Sequence, residues 1–238
     1  MYSDSGGDGP AVVFLHGVLM NGTLWDGVVD KLRGRYRCIV PELPFGAHRT
    51  PMPDDADLDL VSVARMIAGF LDELDLRDIT QVCNDWGAAQ LVISPGGSER
   101  VASLVLVSCE AFDNYPPGLP GRLLCLDASE PGGTFLTSQR LRPRLIRHLP
   151  ITFGGMSKKR VPIEQFMSWI EPLRHDPRIR RDFDKYLRSV PRKKQLLLEW
   201  AEHQRAFTGP VLVVWAREDK LMPSEHAERL AAHVETPN

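Results

Sequence analysis

Ile79-Thr80-Gln81-Val82-Cys83-Asn84-Asp85-Trp86-Gly87-Ala88-Ala89-Gln90 opens as a short β-strand and turns over small residues into a helix. Asp85 stands at the tip of that turn. A sharply bent strand-to-helix turn needs small flanking residues, because its backbone is strained and crowded. Cys83 and Gly87 fill those flanks, so the turn is expected to push the Asp85 side chain out at the carboxyl end of a sheet. A carboxylate in that place is a possible nucleophile, able to form a covalent ester. The competing role is an ordinary helix N-cap, in which the carboxylate accepts from orphan backbone N–H groups.

The surrounding sequence supplies the sheet. Upstream, Ala11–Leu15 and Arg37–Val40 are apolar runs without alternation, the pattern of parallel strands buried on both faces. His16-Gly17 ends the first and Pro41 the second. Helices are expected around Trp25–Leu32 and over Asp59–Leu74, where Leu60, Val63, Ala64, Ile67, Phe70, Leu71 and Leu74 keep helical spacing. The proline-rich segment between them is loop. Downstream, a helix from Ala88 should stop before Pro95-Gly96-Gly97. Ser103–Ser108 and Val211–Trp215 read as two further buried strands.

The fold class is therefore α/β, with a mainly parallel sheet flanked by helices. Residues 1–111 and 208–238 make its core. Residues 112–207 hold no strand-like run and form a helical cap, with helices over Leu141–His148, Ile163–Leu173, Ile179–Val190 and Leu196–Phe207. Proline and glycine punctuate this segment at Pro116–Gly121, Pro131–Gly133 and Phe153–Met156. Its many Lys and Arg residues outnumber acids such as Glu164, Glu171, Asp182 and Asp184, and dispersed charge of this kind is ordinarily a solvated helix face.

Composition removes several function classes. A net charge of −2 sets up no global field toward nucleic acid or a membrane surface. No apolar run approaches the length of a membrane span. The first ten residues lack a signal-peptide pattern, and the four cysteines show no metal spacing. A reduced, cytoplasmic setting is expected, with Cys83 and Cys109 reduced at the ends of neighbouring strands. No metal or organic cofactor is expected, and no glycine-rich phosphate loop of the dinucleotide or P-loop kind is present.

The ordered parts together resemble the α/β-hydrolase superfamily: His16-Gly17 after a strand, the elbow at Asp85, a helical insertion after the next strand, and Arg217-Glu218-Asp219 before Met222-Pro223. Within it, Asp followed by Trp at the elbow resembles the haloalkane dehalogenases and epoxide hydrolases. The resemblance implies that Asp85 attacks carbon and that water then cleaves the ester. It implies an oxyanion hole from the backbone N–H groups of Val18 and Trp86, and a substrate or halide pocket at Trp86, His16 and Gly17. The acid that orients the catalytic base would be Asp219, the favoured choice, or Glu110. The implied substrate is a small apolar, halogenated or epoxide molecule; the oligomeric state stays open.

The sequence also departs from these families. Val18 stands where one group of dehalogenases has Asn, and Leu19 where epoxide hydrolases usually have Pro. Cys83 stands where Gly is commoner. The insertion offers only Tyr115 and Tyr186 for the tyrosine pair of the epoxide hydrolases. The family histidine lies in a loop beyond the helix that ends near His233. None of His16, His48, His148, His175, His203, His226 and His233 is in that position, the strand that should precede that loop has no counterpart in the sequence, and residues 1–10 can hold at most part of one of the family's two leading strands. His226 and His233 are expected on turns facing away from the elbow. An unassigned hydrolase, or a small-ligand binder that keeps the pocket, is the alternative.

Overall fold

The computed structural model describes residues 1–86, 99–110, 112, 114–193, 195–199 and 207–234 of the 238-residue chain. The helix expected from Ala88, the elbow flank Gly87 and His203 lie outside these residues. Six strands form one sheet: β1 (Tyr2–Asp4), β2 (Ala11–Leu15), β3 (Arg37–Pro41), β4 (Ile79–Asp85), β5 (Val101–Cys109) and β6 (Val211–Val214). Their order is β1-β3-β2-β4-β5-β6. β1 is antiparallel to β3, and every other pairing is parallel.

Between β2 and β3 lie a 3-10 turn (Gly22–Trp25) and α1 (Asp26–Leu32). α2 (Leu60–Glu73) lies between β3 and β4. The carboxylate of Asp59 accepts from Ser62 N–H at 2.8 Å and caps it. Its buried stripe is Leu60, Val63, Ala64, Ile67 and Leu71, the face that the spacing predicts. Alternation along β2 divides the core. Val13 and Leu15 join the larger cluster with α2, while Val12 and Phe14 pack with Trp25, Cys38, Val40 and Val82 on the other face. Burial of side chains this size contributes about 1.5–3 kcal/mol each.

Every described element between β5 and β6 is helical: α3 (Gly118–Ser129), α4 (Gly133–Arg140), α5 (Arg144–Arg147), α6 (Phe153–Met156), α7 (Ile163–His175), α8 (Pro177–Ser189), a 3-10 turn (Val190–Arg192) and α9 (residues 195–199). α10 (Glu225–Val234) follows β6. Two sequence expectations are corrected. The Pro116–Gly121 punctuation starts a helix, because Pro117 is its N-cap residue and Pro120 lies in the first turn, where a missing N–H costs no hydrogen bond. β5 and β6 are not buried on both faces: Leu212 is 57% exposed and Val214 43%. β6 pairs only with β5 among the described residues, and apolar composition alone does not distinguish such a strand from a central one.

The sheet order brings three strand ends together. Leu15 of β2 pairs with Cys83 of β4, and Asp85 pairs with Cys109 of β5. The loop after β2, the tip of β4 and the residue after β5 therefore meet at one carboxyl edge, where open α/β sheets place their ligand sites.

Candidate active site

Asp85 ends β4 with φ of +62°. Asp tolerates this left-handed backbone better than most residues, yet holding it costs ~1–3 kcal/mol, which the surrounding structure supplies. A register irregularity between Asn84 and Asp85 accompanies the bend. The Asn84 side chain donates to Val107 O at 2.9 Å and holds the bent strand to β5. The Asp85 side chain is 3% exposed. It lies over Gly17, where a Cβ would come within 2.3 Å of Oδ2 and 2.4 Å of Asp85 Cβ. Only glycine at position 17 leaves room for the carboxylate.

The loop beyond Gly17 is also strained, with Leu19 at φ +57°. Leu19 N–H donates to Phe45 O at 2.9 Å. The preceding amide then points into the site: Val18 N–H donates to Asp85 Oδ2 at 3.1 Å and is shared with Trp86 O at 3.2 Å. Oδ1 is buried with no hydrogen-bond partner among the described residues. Burial raises the Asp85 pKa to about 8; donation from the backbone N–H groups of Trp86 and Val18 opposes that rise, and the Asp219 carboxylate adds to it. Oδ2 is thus seated on the Val18 amide, and Oδ1 is buried and unpaired among the described residues.

Both candidate acids lie at this edge. Glu110 is buried directly after β5, and its N–H donates to Asp85 O at 3.1 Å. Asp219 is half-buried in the loop after β6, close enough for its charge to act on Asp85. Its Oδ1 accepts from Leu221 N–H and Met222 N–H, both at 2.9 Å, so the side chain also closes its own turn.

His16 is a structural residue. Its Nδ1 lies 2.9 Å from Gly17 O, and its Nε2 accepts from Leu43 N–H at 2.9 Å. These bonds fix the tautomer, and burial lowers its pKa to about 4. Both nitrogens are therefore occupied, and the ring braces the loop rather than lining a pocket. His226 and His233 are both buried, and the His233 ring packs edge-on against Phe112 at 5.5 Å, so this face of α10 turns toward the segment after Glu110.

An aromatic roof covers the edge. Trp86 meets Tyr115 at 6.0 Å and Tyr186 at 6.3 Å between ring centroids, and Tyr186 meets Phe45 at 4.7 Å. The two tyrosine hydroxyls are 3.3 Å apart. Burial pushes both phenols well above their ordinary range, and the Asp85 charge contributes to that rise at Tyr186.

Asp182, counted from the sequence among the counter-charges of a solvated face, is fully buried. Its Oδ2 accepts from Met52 N–H at 2.8 Å and faces His48 Nε2 at 3.4 Å, and its Oδ1 accepts from Arg181. It ties α8, and with it Tyr186 one turn on, to the loop that carries Phe45. The available signal was an acid within the apolar stripe Ile179, Phe183, Tyr186, Leu187 and Val190. Phe45 had no comparable signal, because its loop carries no periodic pattern. Cys83 and Cys109 are buried free thiols, with Cys83 pushed up to about 12 by burial.

A mainly parallel sheet, a strained carboxylate at a central strand end and backbone amides aimed at it define an α/β-hydrolase architecture. A model of the alpha/beta hydrolase family matches residues 12–237, and the chain belongs to that family. A haloalkane dehalogenase of Mesorhizobium japonicum is 36% identical over 88 residues, 37% of this chain and 28% of that protein. A pimeloyl-[acyl-carrier protein] methyl ester esterase of Aeromonas hydrophila is 29% identical over 167 residues, 69% of this chain and 62% of the relative. The chain thus spans less than two thirds of either. The crystal structure of a putative ancestral haloalkane dehalogenase aligns with TM-score 0.73 at 23% identity, covering 98% of this chain and 83% of the other. An esterase from Exiguobacterium antarcticum aligns at 0.69 and 19%, with 98% and 83% covered. These two likenesses concern the fold. No described helix is long and apolar enough to cross a membrane. Among the described residues no group of three or more His, Cys, Asp or Glu is placed to hold a metal ion.

Proposed function

We propose that this chain carries the catalytic centre of a hydrolase that uses Asp85 as a carbon nucleophile, most like a haloalkane dehalogenase. The division of labour between the two oxygens of Asp85 carries the reading. Oδ1, buried and unpartnered, attacks the carbon of a small apolar halide; the C–O bond forms as the carbon–halogen bond breaks, and halide leaves. Oδ2, seated on Val18 N–H, becomes the carbonyl oxygen of the alkyl ester. When water attacks that ester, the developing oxyanion forms on an oxygen already held by the Val18 amide, a contribution of ~3–4 kcal/mol per donor in comparable sites. The helical insertion serves as the cap, and its tyrosines and Trp86 keep water from the carboxylate. N-capping is disfavoured because Oδ2 bonds back across the sheet to Val18 rather than only forward along its own chain.

The test is intact-protein and peptide mass spectrometry after incubation with short bromoalkanes. One alkyl group is expected on Asp85, and none on Asp85→Asn. A base that activates water contributes ~10²–10⁴-fold to cleavage of the ester, so the ratio of free alcohol to adduct reads whether the 238-residue chain supplies one. Alkylation elsewhere with Asp85 unmodified would remove Asp85 from the reaction.

A second reading, epoxide opening, is favoured by the tyrosine pair. Oδ1 would attack an epoxide carbon, the C–O bond would break, and a phenol would pass its proton to the alkoxide. Both phenols stay protonated across the working pH range and lie in the roof over Trp86. Tyr186→Phe and Tyr115→Phe separate the readings. If epoxides are the substrates, each change should slow ester formation from an epoxide by ~10²-fold or more while alkylation by a bromoalkane changes little. Equal small effects on both reagents would make the tyrosines packing residues.

A further inference from the structure

The helical insertion contains a cavity of about 230 Å³ that the chemistry at Asp85 does not use. It is lined by Arg147, His148, Lys158, Lys159 and Arg160 together with the apolar Phe153 and Phe166. We infer that this cavity is a binding site for a small organic phosphate.

The charge is one-sided. Lys158 is paired with Glu218 at 2.5 Å, and no acidic residue lines the cavity. Lys159 and Arg160 take part in no ion pair among the described residues. Like charges gathered on a concave wall repel one another and concentrate a positive field there, which a dianion relieves. A phosphomonoester, at −1.5 to −2 near pH 7, does so more fully than a carboxylate.

The wall is also shaped for an organic group. Phe153 and Phe166 meet edge-to-face at 5.2 Å, and the Arg147 guanidinium lies 5.2 Å over the Phe166 ring. Arg147 Nη1 donates to Arg142 O at 2.8 Å, so the cation is held in place rather than swinging in solvent. An aromatic wall beside a fixed guanidinium suits a ring or short chain that ends in phosphate.

The site is built before any ligand arrives. A Cβ at Gly154 would meet His148 O at 2.1 Å, and one at Gly155 would meet Pro150 O at 2.0 Å. The Thr152 hydroxyl donates to Ile146 O at 2.7 Å and also faces Leu149 O at 3.0 Å. The segment is coiled tightly enough that only glycine fits at two positions, and little ordering is left for binding to supply.

Calorimetric titration and thermal shift with phenyl phosphate, inorganic phosphate, benzoate and phenol test the inference. Phenyl phosphate should bind saturably, at least tenfold more tightly than the other three, and raise the melting temperature. The charge reversals Lys159→Glu and Arg160→Glu together, at exposed positions, should weaken it tenfold or more with circular dichroism unchanged. Asp85→Asn should leave it intact, so failure of the proposed chemistry and failure of this site are distinguishable. Absence of saturation, equal binding of inorganic phosphate and benzoate, or indifference to the double reversal would overturn the inference.

Discussion

Asp85→Asn is expected to make the protein more stable, by an amount that grows with pH. The folded chain keeps the proton on Asp85 up to about pH 8, chiefly because burial penalises the carboxylate. The unfolded chain releases it near 3.8. Between those values the folded state binds the extra proton, so each rise in pH favours unfolding, and the loss is complete above about pH 8. The distance between the two pKa values corresponds to roughly 5 kcal/mol. Asn keeps the shape and the acceptor for Val18 N–H but cannot ionise. Urea denaturation of both proteins should show a gap of about 1–2 kcal/mol at pH 5 and roughly 5 kcal/mol at pH 9, with other titrations cancelling in the difference. Parallel profiles would mean that Asp85 is ionised at ordinary cost. The same proton governs reactivity. If Asp85 is the nucleophile, its alkylation should rise about tenfold per pH unit and level off above pH 8.

Gly17→Ala is expected to be the most damaging single methyl group in the site. The added carbon would sit 2.3 Å from Asp85 Oδ2, 2.4 Å from its Cβ and 2.7 Å from its Cγ. A rotamer change moves the carboxylate but not Cβ, which is fixed by the backbone of β4. Either the carboxylate is driven off the Val18 amide or the ends of β2 and β4 separate. Overpacking of this kind costs ~1–3 kcal/mol. A shift of about 1 Å in a reacting group costs ~10²-fold in rate, so alkylation of Asp85 should fall by at least that much. Chemical denaturation and intact-mass kinetics on the same sample read both effects. Undiminished alkylation with native stability would show that the loop and the strand end are not packed as described.

The elements most legible in the sequence are those whose pattern depends on local geometry. The strands at Ala11–Leu15 and Ile79–Cys83 were readable as short apolar runs bounded by turn residues, and the stripe of α2 because burial of one helix face imposes a period. The turn at Asp85 was readable because a strained backbone restricts its flanks to small residues. Asp182 was misread because a charge on a helix is solvated in most contexts, and nothing local reveals that Met52, Arg181 and His48 converge on it. The burial of His226 and His233 likewise has no local signal, because a helix face takes its meaning from what packs against it.

The sequence by itself determined the α/β class, the parallel strands and the carboxylate at the elbow, since each follows from apolar runs alternating with helical periods or from the space available at one turn. Only the tertiary structure decided that Gly17 makes room for Asp85, that Val18 N–H reaches Oδ2 while Oδ1 stays unpaired, and that Tyr115 and Tyr186 meet above Trp86. The Val18–Asp85 and Tyr115–Tyr186 contacts join residues 67 and 71 positions apart in the chain, and their distances depend on strand order and helix docking, which no local pattern encodes.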